Sequence, residues 1–427
     1  MPRSWARSPA SGSRSSSHPR GSRTCERARI AGEYRELPQM TGTPSDGNGT
    51  RLRPGRTLDE MRRAEPILFT PGPVRIPPLV AEYLSSPPCN YHRQDAFQEM
   101  FTQTELDLKR LVGIRESDAF FATIMTATGT GANEACLLAL AKTGKGLVAD
   151  NGFFGARVVD QAKQNGLDHV VLKGPHDRPL DPEAIGAALD KDPSIKWVFF
   201  VSHETRTGLK NPMEEIGRAC KQRGRLVAAD AISSAFAYPI DIEASQIDLV
   251  TASSAKAIMA APGLGIVFTK RASVAAIKAG GKPDGYYLDV IAEYEKQSSE
   301  HQTRFAQPVA LHAALHAACR YLTEQGIDAH MARIQRQMAS LIDHLSKLDL
   351  HPLLDARFRS NIAVNFRLPA GLPYSTFAKQ LEQRGYYCLY GIPGDQSHFQ
   401  LSTIGCLSDA DIRGVEAALS QVFAVAA

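Results

Sequence analysis

The sequence predicts an α/β protein in which a large domain with a mainly parallel sheet is followed by a smaller α+β domain. Two observations support this prediction. In the middle of the chain, short β-rich runs alternate with helical stretches, a pattern typical of βαβ units. Residues 359–427 instead follow the order strand, helix, strand, strand, helix, which is the pattern of a small mixed domain.

The elements of the large domain follow from the spacing of its apolar residues. Each predicted strand is a short run of apolar and β-branched residues, and each predicted helix is a longer stretch between such runs. Strands are predicted at residues 146–150, 169–172, 197–202, 226–229 and 266–269. Helices are predicted at residues 131–141, 155–166, 182–189 and 213–223. Because helices join consecutive strands, the sheet is expected to be mainly parallel.

The domain boundaries follow from changes in composition. Residues 1–60 are rich in Ser, Arg, Gly and Pro, so they are predicted to form a disordered tail; an organelle-targeting segment is the alternative. Residues 61–325 form the predicted large domain. Residues 307–348 are almost continuously helical and are expected to bridge to the small domain, which is placed at residues 326–427.

Charge and composition exclude several classes of function. The formal net charge of +4 is concentrated in residues 1–63, which contain thirteen arginines and six acidic residues, so the rest of the chain is slightly acidic. Nucleic-acid binding therefore has no electrostatic support. No apolar run approaches ~18 residues, so a membrane span is not expected. Seven scattered cysteines without a CxxC pair fit a reducing compartment and a cytoplasmic protein, and no metal site is expected.

Polar residues follow several predicted strands, where open α/β sheets bind their ligands. Thr128-Gly129-Thr130-Gly131 opens a helix and could hold an anion at the helix N-terminus, or could simply cap the helix. Asp230 ends a buried strand, where it suits a cationic nitrogen of a ligand or serves as a helix cap. Lys256 lies in an otherwise apolar stretch after two serines. It could be a Schiff-base lysine or simply a surface lysine.

The order and spacing of these residues resemble those of fold-type I pyridoxal-phosphate enzymes, and more narrowly the class V aminotransferases. The resemblance covers about residues 66–420 and implies a homodimer. It is carried by the segments 68–74, 90–97, 128–135, 151–157, 203–212, 230–234 and 302–308 and by the segment around Lys256.

The resemblance implies roles for eight residues toward pyridoxal 5'-phosphate. Lys256 resembles the lysine that forms the internal aldimine and then moves a proton. Asp230 resembles the carboxylate that keeps the pyridine nitrogen protonated. The remaining six are the phosphate cradle of Thr128, Gly129 and Thr130, a further phosphate candidate Ser253, the ring-stacking Phe154, and Thr205 at the phenolic oxygen.

The chain departs from the family pattern at two positions that matter for chemistry. Ala255 stands where the family has Asn or Gln. Gln400 stands where the family has an arginine that binds the substrate carboxylate, and glutamine supplies neither charge nor a guanidinium fork. Another arginine could replace it, with Arg304 first and then Arg93 and Arg206, so Arg304 and Gln400 are the predicted substrate-binding residues.

The resemblance implies transfer of an amino group from a small amine, such as 2-aminoethylphosphonate, to a keto acid. A pyridoxal-phosphate lyase, or a transaminase with a different substrate, is the alternative, because Gln400 removes the usual carboxylate site. A third hypothesis is that the chain is a non-catalytic binding protein. The retention of Lys256 and Asp230 argues against this hypothesis.

Overall fold

The computed structural model describes residues 65–391 and 395–426. The predicted tail at residues 1–60 lies outside the described residues. The described strands are β1 (Ile67–Leu68), β2 (Phe120–Thr126), β3 (Gly146–Asp150), β4 (His169–Lys173), β5 (Trp197–Val201), β6 (His203–Glu204), β7 (Leu209–Lys210), β8 (Leu226–Asp230), β9 (Leu249–Ser253), β10 (Leu264–Lys270), β11 (Ala363–Arg367), β12 (Tyr386–Tyr387) and β13 (His398–Ser402).

The described helices lie between and after these strands. They are Pro78–Ser85, Asp95–Leu111, Gly129–Ala141, Phe153–Gln164, Pro182–Lys191, Met213–Lys221, Arg271–Ala279, Val290–Glu300, Val309–Gln325, Ile327–Ser346, Tyr374–Glu382 and Asp409–Ala426. Each helix that was predicted within the large domain is present, with ends that shift by a few residues. The long predicted helical stretch is two helices, because Gly326 between them has a φ of +79°.

A seven-stranded sheet in the order β2-β10-β9-β8-β5-β3-β4 forms the centre of the fold. Strands β9, β8, β5, β3 and β4 are parallel to one another, and β10 runs antiparallel to both of its neighbours, β2 and β9. The α/β fold with a mainly parallel sheet is therefore confirmed. Strands β2 and β9 were not predicted, because periodicity alone does not distinguish a short buried strand from a buried helical segment.

Both faces of this sheet are covered by helices. In β5, Val198 and Phe200 belong to one buried apolar cluster, whereas Trp197 and Phe199 belong to a second cluster. Successive side chains of a strand point to opposite faces, so the two clusters lie on the two sides of the sheet. This two-sided burial explains why the parallel strands are almost uniformly apolar.

The free edge of the sheet at β2 is closed by side chains. Glu105 accepts the backbone N–H of Ala122 at 3.0 Å. Gln297 accepts the N–H of Ile124 at 3.0 Å through Oε1 and donates Nε2 to its carbonyl at 2.7 Å. These contacts satisfy backbone groups that an edge strand otherwise leaves without partners.

A third apolar cluster is formed mainly by residues after Met338, together with Phe69. Strands β11 and β13 pair antiparallel within it, with Asn365 opposite Gln400. Strand β12 pairs instead with β1, so the start of the described chain joins this region. The division into a large domain at residues 61–325 and a small domain at residues 326–427 stays a prediction.

Across the part of the chain that the structure describes, none of the helices combines the length and the apolar character that crossing a membrane requires.

Replacing the edge-closing glutamine tests this account of the sheet. Gln297→Ala should lower the free energy of unfolding by about 1–3 kcal/mol, because the backbone groups of Ile124 lose their partners in a buried place. Gln164→Ala, at an exposed helical glutamine, is the matched control and should change stability by less than about 0.5 kcal/mol. Urea unfolding followed by circular dichroism compares the variants, and equal stabilities would contradict this role of Gln297.

Candidate active site

A cavity of about 200 Å³ opens where β5, β8 and β9 of the central sheet end. The carboxyl ends of parallel strands are the usual place for a ligand in such a sheet. All eight residues that were predicted to bind the cofactor line this one cavity. The full lining is Gly72, Pro73, Thr128, Gly129, Thr130, Asn133, Phe154, Arg157, His203, Thr205, Asp230, Ile232, Ser233, Ser253, Ala255, Lys256 and Pro262.

One wall of the cavity is the N-terminus of the helix Gly129–Ala141. Thr128 is the residue that precedes this helix, and its side chain makes no capping hydrogen bond. The first N–H groups of a helix have no partner within the helix, and they carry a partial positive charge. Together with the hydroxyls of Thr128, Thr130 and Ser253, this end of the cavity is suited to an anion such as phosphate.

Asp230 lies at a second wall and is buried. Its carboxylate accepts hydrogen bonds from Asn133 Nδ2 at 2.7 Å and from the N–H of Ile232 at 2.9 Å. Asn133 is oriented in turn by Thr251, whose hydroxyl donates to Asn133 Oδ1 at 2.6 Å. Burial raises the pKa of Asp230, while these hydrogen bonds oppose the rise. A buried carboxylate of this kind is suited to a cationic partner in the cavity.

Lys256 brings an amine to the same cavity. Its Nζ donates to the carbonyl of Pro71 at 2.7 Å. Burial lowers the pKa of Lys256 to about 8, although the charge of Asp230 opposes this shift. A Cβ atom on Gly72 would lie 2.9 Å from Nζ, and the φ of +131° at this position favours glycine. Near neutral pH the amine is therefore partly unprotonated and able to act as a nucleophile.

Thr205 and Phe154 form the remaining predicted contacts. Thr205 Oγ1 donates to Ser233 Oγ at 2.6 Å. The ring of Phe154 faces the cavity, and the guanidinium of Arg157 lies 4.8 Å from the centre of that ring. A polarised aromatic face beside the cavity suits packing against a planar ligand.

Glu204 joins two walls of the cavity and was not among the predicted site residues. It is fully buried, and its carboxylate accepts the N–H groups of Phe154 at 3.0 Å and Gly155 at 2.6 Å. Burial raises the pKa of Glu204 to about 7, against the effect of these two hydrogen bonds. Glu204 therefore fixes the start of the helix Phe153–Gln164 to the loop that carries Thr205.

Three further cavity residues were also missed by the sequence analysis, namely Asn133, Arg157 and His203. Asn133 and Arg157 lie inside the segments 128–135 and 151–157, so those motifs could have indicated them. His203 is buried and shares a hydrogen bond of 2.6 Å between Nε2 and Ser360 Oγ, whereas its Nδ1 has no partner among the described residues. Burial lowers the pKa of His203 to about 3, so its ring is neutral.

The two predicted substrate-binding residues do not line the cavity. Gln400 is fully buried behind it, and its Nε2 donates to the backbone carbonyl of Thr205 at 2.6 Å. Arg304 donates to the backbone carbonyls of Tyr286 at 3.2 Å and Asp289 at 3.4 Å. Their roles toward a substrate stay predictions.

The cavity fits pyridoxal 5'-phosphate. It combines an anion site at a helix N-terminus, a buried carboxylate that suits a protonated ring nitrogen, and an amine of lowered pKa that suits an aldehyde. The room that Gly72 leaves beside Lys256 Nζ supports the same fit. The fold and this site together define a pyridoxal-phosphate enzyme of fold type I.

Comparison with known proteins narrows the assignment. The family described as aminotransferase class-V matches residues 81–387. The chain belongs to this family. It is 33% identical to a 2-aminoethylphosphonate–pyruvate transaminase of Burkholderia thailandensis over 364 residues, which cover 84% of this chain and 97% of that protein. The chain is therefore a pyridoxal-phosphate-dependent transaminase that acts on amines and keto acids.

Solved structures agree with the fold. An aspartate aminotransferase of Thermus thermophilus is 28% identical with a TM-score of 0.74, over 84% of this chain and 99% of that chain. A ureidoglycine-glyoxylate aminotransferase of Bacillus subtilis has a TM-score of 0.77 at 22% identity, over 84% and 93% of the two chains. The second similarity concerns the fold alone.

The lowered pKa of Lys256 can be measured directly. In the cofactor-free protein, reductive methylation of Lys256 should be half-maximal near pH 8, because burial disfavours the charged amine. Asp230→Asn should move this midpoint to lower pH, since the carboxylate favours the charged form. Lys347 is the internal control, because Asp343 raises its pKa. A Lys256 midpoint at the ordinary 10.5 would contradict the account of the site.

Proposed function

We propose that this protein transfers an amino group from a small amine, such as 2-aminoethylphosphonate, to a keto acid, with Lys256 as the reacting amine. The observation that carries the proposal is the meeting of Lys256, Asp230 and the N-terminus of the helix Gly129–Ala141 at one cavity. The choice of amine is supported by the name of the Burkholderia relative.

The residues of the cavity divide the work of holding the cofactor. Thr128, Gly129, Thr130 and Ser253 would hold its phosphate, at the helix N-terminus. Asp230 would hold a proton on the ring nitrogen, Thr205 would bind the phenolic oxygen, and Phe154 would pack against the ring. Asn133 keeps the Asp230 carboxylate in place through its 2.7 Å hydrogen bond.

When bound, pyridoxal phosphate supplies an aldehyde and a ring that withdraws electrons from the carbon next to the substrate nitrogen. Lys256 would hold the cofactor at its aldehyde, and Nζ would take the proton from this carbon when it is free. Its lowered pKa suits both tasks, because Nζ is a base near neutral pH. The carbonyl of Pro71, which Nζ contacts at 2.7 Å, would orient the amine while it holds the proton.

A lyase is the second candidate, and Gln400 is the observation that favours it. A lyase needs no keto-acid acceptor, so it has no need of the arginine that Gln400 replaces. The neutral amide of Gln400 is already bonded to the carbonyl of Thr205.

We infer that the protein is a cytoplasmic homodimer. Tyr286 and Tyr287 are 79% and 46% exposed, and they flank Phe305, whose ring lies 5.2 Å from that of Tyr287. Burying this aromatic patch against a second copy would remove apolar surface from water. Light scattering should give twice the 46.4 kDa of one chain, and a mass of one chain would contradict the dimer.

Mixing the holoenzyme with 2-aminoethylphosphonate, without a keto acid, tests the reaction. A transaminase should convert its cofactor once, with a stoichiometric change in visible absorbance and no free ammonia. Ammonia released over many turnovers, with the absorbance restored, would establish the lyase instead. No spectral change would contradict the choice of amine, and ordinary amino acids would then be screened.

Replacing the reacting lysine supplies the control for this experiment. Lys256→Ala should abolish turnover and the covalent fixation of the cofactor by borohydride, because no other amine in the described cavity can replace Nζ. Lys210→Ala, at an exposed lysine near the site, should keep both. Borohydride fixation that persists in Lys256→Ala would exclude Lys256 as the reacting amine.

A further inference from the structure

The transaminase reaction needs a positive charge for the anionic end of its substrate, and position 400 does not supply one. Gln400 is fully buried, and Nε2 donates to the backbone carbonyls of Thr205 at 2.6 Å and Arg206 at 3.3 Å. Its amide is therefore occupied with the loop that precedes β7. A charge for the substrate has to come from another residue.

Two of the arginines proposed from the sequence are occupied elsewhere. The guanidinium of Arg304 donates to the carbonyls of Tyr286 and Asp289. Arg93 is exposed, and it donates to Gln302 at 3.4 Å. Neither residue lines the cavity, and neither has a lining residue as its neighbour in the chain.

Arg206 is held differently, between two aromatic rings that we call the aromatic rim, Phe153 and Tyr390. Its guanidinium carbon lies 5.3 Å from the ring centre of Phe153 and 4.8 Å from that of Tyr390. One nitrogen, Nη1, donates to the carbonyl of Tyr390 at 3.0 Å. A guanidinium has five N–H donors, so this arrangement fixes the plane of the group and leaves other donors for a ligand.

Arg206 and Phe153 do not line the cavity themselves, but each is the chain neighbour of a residue that does. Arg206 follows Thr205, and Phe153 precedes Phe154; Thr205 and Phe154 both line the cavity. The positive charge of Arg206 also helps to lower the pKa of Lys256, as expected of a cation near that amine. Arg157 lines the cavity itself, and its charge lowers the pKa of both Lys256 and Asp230. Its guanidinium carbon lies 4.8 Å from the ring centre of Phe154, the ring that is predicted to pack against the cofactor, so Arg157 is assigned to the cofactor rather than to the substrate.

We propose that Arg206 binds the anionic group of the substrate and so takes over the task of the arginine that Gln400 replaces. This inference rests on the proposed function. The group that Arg206 recognises is an oxyanion, either a phosphonate of the amine or a carboxylate of the keto acid, since both match a planar guanidinium. Gln400 is then a positioning residue, because its amide binds the carbonyls of the two peptide groups that flank Arg206.

The test compares anionic with neutral substrates in the holoenzyme. Arg206→Gln should raise the KM for 2-aminoethylphosphonate or for pyruvate roughly 10- to 100-fold, since a charge-assisted pair is lost. The KM for ethylamine and acetaldehyde, the counterparts that lack the anionic group, should change less than about threefold. Arg206→Lys should give an intermediate value, because it keeps the charge but loses the fork.

Two more variants make the comparison specific. Arg271 is also held by aromatic rings, at 5.3 Å from Phe121 and 5.9 Å from Tyr294, so Arg271→Gln is the matched control and should leave the KM values unchanged. Arg304→Gln tests the competing arginine. A selective loss of anionic substrates in Arg304→Gln, but not in Arg206→Gln, would overturn the inference.

Calorimetry with unreactive anions separates the two sources of the oxyanion. Ethylphosphonate and propionate can bind but cannot react, because they carry neither an amine nor a keto group. If only ethylphosphonate binds Arg206→Gln more weakly than wild type, the ligand of Arg206 is the phosphonate of the amine. If only propionate binds more weakly, the ligand is the carboxylate of the keto acid. Equal binding of both anions to wild type and variant would overturn the inference. A wild type that binds the anions but converts no amine would instead contradict the proposed function.

Discussion

The burial of the Asp230 carboxylate is the constraint on which the rest of the site depends. A carboxylate in this place is costly unless every lone pair that faces the protein has a donor. Asn133 and the N–H of Ile232 are those donors, and Thr251 fixes Asn133. The helix Gly129–Ala141 therefore has one orientation in which Asn133 reaches Asp230, and the same orientation turns its N-terminus toward the cavity.

The parts of the site that sequence predicts are those that topology brings together. Thr128, Phe154, Thr205, Asp230 and Lys256 are far apart in the chain, but each lies near the end of a strand of the same sheet. Strands of a parallel sheet end at a common edge, so motifs after successive strands meet there. For the same reason the mainly parallel sheet itself could be predicted, since helical crossovers leave few other arrangements.

The parts that sequence does not predict depend on contacts between distant segments. In the sequence, Glu204 is one polar residue of a predicted loop. Its role in joining two walls of the cavity is seen only from its hydrogen bonds with the N–H groups of Phe154 and Gly155. Gln400 was predicted at the substrate, whereas its amide is bonded to the backbone of a loop 195 residues earlier. Strand β2 was missed because periodicity alone does not distinguish a short buried strand from a helical segment, and the residue that closes its edge, Gln297, lies 173 positions further along the chain.

Glu204 also separates the side chains that it ties together from those that lie beyond its hydrogen bonds. Its carboxylate ties the start of the helix Phe153–Gln164 to the loop of Thr205, so the two walls that would grip the cofactor are braced against each other. The side chains of Arg206 and Tyr390 lie outside this brace. Substitutions of those two side chains would leave both hydrogen bonds of Glu204, and so the joint between the two cofactor walls, in place.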